Sequence, residues 1–290
     1  MSMSPPKVRK SWRSTGLDRA VGFLTPIGGA VAPSPSAVPW FPVVGAAIGA
    51  CVGAIWYWSN VAFGPVIGAA LAVVVDLALT GLLHMDGLAD VADGLLAHVT
   101  VGDVFASGPE GARDPVARAS AAARRLEIMA DPRTGAYGAI ALAAIFLLRF
   151  SAFFSISASL AGSVLLVATL WCSSRALMSL GLTAMPYARA EGGLATGFAT
   201  NPSSKGISVR NWVNFTVGVA ALAICAAALG TWQVRNGLAA IVVGLAMGAG
   251  VLALSMRKIG GFTGDVLGAA GVMLETTGLL AAAAHWSSIH

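Results

Sequence analysis

The chain has 290 residues, 57% hydrophobic and 11% charged, with a mean hydropathy of +0.78 and 18 Lys and Arg against 13 Asp and Glu. An average soluble domain carries ~25% charged residues, so this composition excludes a soluble globular enzyme and describes an integral membrane protein. The net charge of +5 reads as topology, because cytoplasmic loops of membrane proteins collect Lys and Arg, and no nucleic-acid partner is expected.

In chain order, residues 1–20 form a basic tail with Lys7, Arg9, Lys10, Arg13 and Arg19. The apolar piece Val21–Ala32 contains Pro26 and three glycines, a poor helix composition that predicts a re-entrant or interfacial segment. Six spans follow at Phe41–Trp58, Val61–Leu83, Tyr137–Leu160, Val164–Leu182, Trp212–Gly230 and Gly237–Ser255, and a seventh, Val266–His285, closes the chain. Each is close to the ~20 residues that cross a bilayer core. The expectation is an all-α, polytopic membrane bundle of six or seven helices forming one domain over residues 1–290. Within the loop at 84–136, residues 100–119 have the Gly, Pro and Ser content of a flexible cytoplasmic insert. Cys51, Cys172 and Cys225 lie in apolar segments without metal or disulfide spacing, and read as small core residues.

With the N-terminus in the cytoplasm and the seven spans alternating, all the Lys and Arg except Arg149, Arg175 and Arg235 fall on the cytoplasmic side. The polar working face is therefore expected toward the cytoplasm. The lipid bilayer is one partner, and a homo-oligomer stays open.

The stretch LLHMDGLADVADGLL, residues 82–96, gathers three carboxylates at the end of the second span. If the helix continues past Leu83, Asp86, Asp90 and Asp93 are separated by four and three residues and share one face. Three like charges beside a membrane call for a cation. Mg²⁺ is the natural candidate, with Mn²⁺ as a substitute, since it takes carboxylate and phosphate oxygens together. Gly87 and Gly94 remove side-chain bulk where a substrate would approach. The bland alternative is a solvated helix end. His84 is placed either as a general base or as a support for the aspartates. Asp76 and Glu275 lie inside spans, where ionisable groups are costly, and Arg149 and Arg175 are their candidate counter-ions.

The segment His84–Gly94 resembles the signature of the cobalamin synthase family, the adenosylcobinamide-GDP ribazoletransferases. WFPVVGAAIG at 40–49 is similar to that family's first spanning helix, RRLEIMADPRTGAYG at 124–138 to its second motif, MPYARAEGGLATGF at 185–198 to its third, and GGFTGDVLGA at 260–269 to its C-terminal motif. The sequence departs where the family usually reads close to FLTRIP, because Phe23-Leu24-Thr25 is followed here by Pro26; if that arginine helps bind substrate in the family, another cation must serve here. It also departs in the longer connection around residues 100–119.

The resemblance implies phosphotransfer. The 3′-hydroxyl of α-ribazole, or of its 5′-phosphate, attacks the phosphate on the cobinamide arm of adenosylcobinamide-GDP, and GMP leaves. Asp86, Asp90 and Asp93 would hold Mg²⁺ on the diphosphate, and Arg124, Arg125 and Arg133 would bind phosphate oxygens. Arg189 and Glu191 would contact nucleotide or ribazole. Asp265, after the glycine-rich Gly260–Gly264, would approach a phosphate or cap the last helix. Against this stand another metal-dependent membrane transferase, such as a CDP-alcohol phosphotransferase or prenyltransferase, and a cation-coupled transporter.

Overall fold

The computed structural model describes residues 15–27, 29, 32–96, 115–157, 159–189, 197–198 and 209–284. In hydrocarbon every backbone N–H and C=O must be satisfied within its own segment, and the apolar runs accordingly form helices. These are α1 (Gly16–Leu24), α2 (Phe41–Phe63), α3 (Pro65–Thr80), α4 (Leu83–Val91), α5 (Pro115–Ile128), α6 (Ala136–Ser155), α7 (Leu160–Ala184), α8 (Val209–Trp232), α9 (Val234–Ile259) and α10 (Gly264–Ala283). A 3₁₀ turn, Val38–Trp40, leads into α2, and a π turn, Ala92–Leu96, continues α4.

Six of these helices, α2, α6, α7, α8, α9 and α10, are long and apolar enough to cross a membrane. α3 has 16 residues, about 24 Å at 1.5 Å per residue. The chain bends by 93° between it and α4, so we read the passage as ending at the bend, with α4 lying across the end of the bundle outside the spanning segments. α7 and α10 form its centre, with 72% and 78% of their apolar windows buried against 22% for α8. Close approach of the helices rests on small residues. Gly45, Gly49 and Gly53 place one face of α2 on the α7 backbone, where a Cβ would come within 2.5–2.6 Å of the Trp171, Val167 and Ser163 carbonyls.

Three expectations need correction. The second span does not run on as one helix into the aspartates, because Gly81 and Leu82 both adopt left-handed φ, 59° and 64°, and turn the chain. The proposed insert ends earlier than expected, since Pro115 already starts α5; residues 100–114 lie outside the described residues. Cys51 is exposed on the apolar exterior, not buried in the core. The N-terminal piece is the short helix α1, opened by a Thr15–Asp18 capping box and packed through Phe23 against Phe41 of α2 at 5.8 Å between ring centroids.

Candidate active site

Helices α2, α6, α8 and α10 begin, and α3, α7 and α9 end, at the same end of the bundle, where α4 lies. The 185–189 segment and the 260–264 loop meet there. Ala188 N donates to Phe262 O and Phe262 N to Pro186 O, both at 2.9 Å, and the Tyr187 and Phe262 rings pack edge to face at 5.4 Å. This short bridge sets Arg189 beside Asp265, with Arg189 Nη2 donating to Asp265 Oδ2 at 3.2 Å. Under the pair opens a cavity of about 330 Å³. Its apolar wall includes Phe23, Phe41, Phe198 and Met178, and its polar wall includes His84, Asp90, Arg189, Thr263 and Asp265.

The three signature aspartates do not share one environment. Asp86 is exposed and Asp90 half-buried, and no hydrogen bond to either carboxylate is found among the described residues. Burial first, then the carboxylates of Asp265 and Asp86, push the Asp90 carboxyl up to about 7, although Arg189 opposes the shift. Asp93 instead faces α6. Its Oδ2 accepts from Gly135 N at 2.7 Å and its Oδ1 from Gly138 N at 2.9 Å. Gly135, the N-cap of α6, brings no side chain for the orphan amides, so Asp93 supplies the cap from elsewhere in the chain. The two glycines of GAYG are thereby explained, since a Cβ on either would lie 2.5 Å from an Asp93 oxygen. The π turn from Ala92 to Leu96 interrupts the α-helical register that the four-and-three spacing assumed.

The other expected site residues scatter. Arg124 lies on the exposed α5 surface, paired with Glu127 at 2.6 Å. Arg133 pairs with Asp131 at 2.7 Å, and this contact holds the Asp131 carboxyl down at about 2. Arg125 donates to the Gly94 and Leu95 carbonyls at 2.9 and 3.2 Å, closing the π turn. Gly87 and Gly94 meet protein. A Cβ on Gly87 would lie 2.8 Å from Asp265 O, and one on Gly94 would collide with Met129. Glu191 lies outside the described residues. Asp265 sits in the first turn of α10, and its N-cap is Thr263, whose hydroxyl accepts from Val266 N. Among the described residues no three His, Cys, Asp or Glu side chains group so as to hold a metal ion.

Beneath the cavity the intramembrane charges pair. Arg149 of α6 bridges Asp76 of α3 and Glu275 of α10, the latter at 2.6 Å. Arg175 of α7 also pairs with Glu275. Trp171 Nε1 donates to the second Asp76 oxygen at 2.7 Å, and Ser174 to Glu275 at 2.6 Å. Two acids and two guanidiniums cancel, which is how buried charges are tolerated in a span. The sequence shows these residues as isolated charges in apolar runs but not which pairs form. It gave no sign of the aromatic wall, whose Phe23 and Phe198 lie far apart in the chain and meet at 4.7 Å.

These loops are where the resemblance lies, and comparison with known proteins agrees. The profile of the cobalamin-5-phosphate synthase family matches residues 17–104 and 114–283. The chain belongs to that family. The gap between the two matched stretches falls inside the expected insert. An adenosylcobinamide-GDP ribazoletransferase of Chlorobaculum parvum is 33% identical over 243 residues, 83% of this chain and 82% of its own. The protein of that name in Bradyrhizobium diazoefficiens is 34% identical over 273 residues, covering 91% and 92%. That in Chlorobium phaeobacteroides is 32% identical over 276 residues, covering 90% and 94%. No solved structure matches.

Proposed function

We propose that this chain transfers adenosylcobinamide phosphate from adenosylcobinamide-GDP to α-ribazole or its 5′-phosphate, releasing GMP. The product is adenosylcobalamin or its 5′-phosphate. Family membership supports the reaction class, and one structural observation supports the site. Among the described residues Arg189 Nε is buried without a hydrogen-bond partner, on the wall of a cavity that also holds the half-buried Asp90. A buried N–H without an acceptor calls for one, and a phosphate oxygen is the acceptor a guanidinium fits best. Arg189 then serves as the cation that replaces the arginine missing after Thr25.

Binding starts from size. A cavity of about 330 Å³ is at the lower end of those that enclose a drug-sized ligand. It suits one nucleoside and excludes a corrin ring. α-Ribazole would enter with its benzimidazole against Phe23, Phe41 and Phe198, while the corrinoid stays at the mouth and presents its diphosphate to Arg189. Of the three signature carboxylates, Asp86 and Asp90 are free to hold Mg²⁺ or Mn²⁺, and one or two carboxylates plus substrate phosphates is the ordinary way that Mg²⁺ binds. The cation would neutralise charge on the diphosphate. In this arrangement Asp93 fixes the start of α6, and Asp265 orients Arg189. Phosphoryl transfer needs little more than such positioning and charge neutralisation.

Incubating the purified protein with adenosylcobinamide-GDP, α-ribazole and Mg²⁺ should release GMP, and a chelator should stop it. A folded protein that releases none would refute the reading. We place the site on the cytoplasmic face of a bacterial inner membrane, because Arg257 and Lys258 lie at its end of the bundle and Arg235 at the opposite end. Cysteines placed at 257 and 235 should label from opposite sides of the membrane, 257 from the cytoplasm.

A further inference from the structure

We infer that His84 meets the ligand as a hydrogen-bond donor through Nε2, and that the buried chain Asp76–Arg149–Glu275–Arg175 is the device that fixes it in that role. His84 stands in the first turn of α4, two residues past the left-handed Leu82. A left-handed leucine is a strained conformation, which persists only where the surroundings enforce it. Here it turns α4 across the bundle and puts the imidazole in the cavity wall, above the α7 guanidinium.

Arg175 Nη2 lies 3.2 Å from His84 Nδ1. A guanidinium has donors and no acceptor, so Nδ1 must present its lone pair and the ring proton rests on Nε2. Arg175 is not free to move away, being tied to Glu275 and to Ser174 Oγ, the latter at 2.7 Å. Glu275 in turn holds Arg149, and Arg149 holds Asp76. A ring whose Nδ1 faces a donor held in place has no room for a second proton on that nitrogen. The ring is thus a neutral Nε2–H tautomer, with Nε2 finding no partner among the described residues. A general base needs a lone pair on the nitrogen that faces the substrate, and this one has none. Its N–H instead suits an anionic oxygen, which on the proposed reading belongs to the transferred phosphate. Arg175, Glu275, Arg149 and Asp76 are positioning residues.

The test has one arm that does not depend on turnover. ¹⁵N spectra of the full chain in lipid nanodiscs, with His84 assigned by its loss in His84→Gln, should show an unprotonated Nδ1 and a protonated Nε2 at pH 7. Titration with GDP and Mg²⁺ should shift the Nε2–H signal. Protonation on Nδ1, or an Nε2–H signal unmoved when GDP saturates the protein, would overturn the inference. Arg175→Met should mix the tautomers; an unchanged tautomer there would refute the positioning role. In the GMP-release assay His84→Gln, which keeps an N–H but no base, should lose about tenfold in kcat. His84→Ala should lose ~100- to 1,000-fold, the usual effect of removing one oxyanion donor. Equal losses in both would return His84 to base chemistry. If the wild type releases no GMP while the spectra come out as expected, the proposed reaction fails and the donor assignment stands.

Discussion

Replacing Asp93 separates the two roles that its place in the signature allows. In Asp93→Ala, Gly135 N and Gly138 N lose acceptors at 2.7 and 2.9 Å, and α6 loses the carboxylate that caps its N-terminus. Hydrogen bonds to a charged group contribute ~1.5–3 kcal/mol each, and truncating a single helix cap costs ~0.5–2 kcal/mol. Water reaching the opened helix end offsets part of the loss, so the expected destabilisation is about 2–4 kcal/mol, which is on the order of 5–10 °C in Tm for a chain of this size. Asp93→Asn keeps one acceptor oxygen and should lose about half as much. Gly138→Ala, whose Cβ would lie 2.5 Å from Asp93 Oδ2, should destabilise in the same direction without touching the carboxylate. Thermal unfolding in nanodiscs, followed by tryptophan fluorescence and run beside GMP release, measures both effects. An Asp93→Ala protein as stable as the wild type but inactive would refute the capping argument and make Asp93 a metal ligand.

Asp90 has a folded-state pKa of about 7 against an ordinary 3.8, so the folded protein binds the extra proton; in the presence of chelator Tm should fall as pH rises from about 4 to 7, and Asp90→Asn should flatten that slope. Arg189→Ala should raise the Michaelis constant for the GDP-bearing substrate roughly ten- to a hundredfold, the loss of ~1.5–3 kcal/mol from one charge-assisted bond, whereas Arg124→Ala should leave the kinetics unchanged because its guanidinium is held on the exposed α5 surface by Glu127. Arg149→Met strands Asp76, leaves Glu275 with Arg175 as its remaining guanidinium, and should destabilise by ~3–5 kcal/mol, read as a collapse of monodisperse protein on size exclusion. Deleting residues 105–113, which the family profile does not match, should leave GMP release intact, since loop closure depends only weakly on loop length; an inactive but folded deletion would show that the segment takes part in the reaction.

The spans could be read from the sequence because hydrocarbon leaves an apolar chain little choice but helix. All seven apolar runs correspond to observed helices, with ends shifted by a few residues. That the motif-bearing loops would gather at one end of the bundle was legible too, through the alternation of the spans. What the linear pattern could not carry was direction. A spacing of four and three puts Asp86, Asp90 and Asp93 on one face only while a single α-helix continues. A left-handed Gly81–Leu82 bend and a π turn lie before and within the run, and both depend on what the helix packs against. So Asp93 caps α6, Gly87 and Gly94 admit neighbouring helices, and Arg124 and Arg133 find partners on the surface. The pairing of Asp76, Arg149, Arg175 and Glu275 was likewise a matter of tertiary structure. Each is legible as a buried charge in need of an opposite one, but which helices stand side by side is decided by the small-residue faces that let them approach.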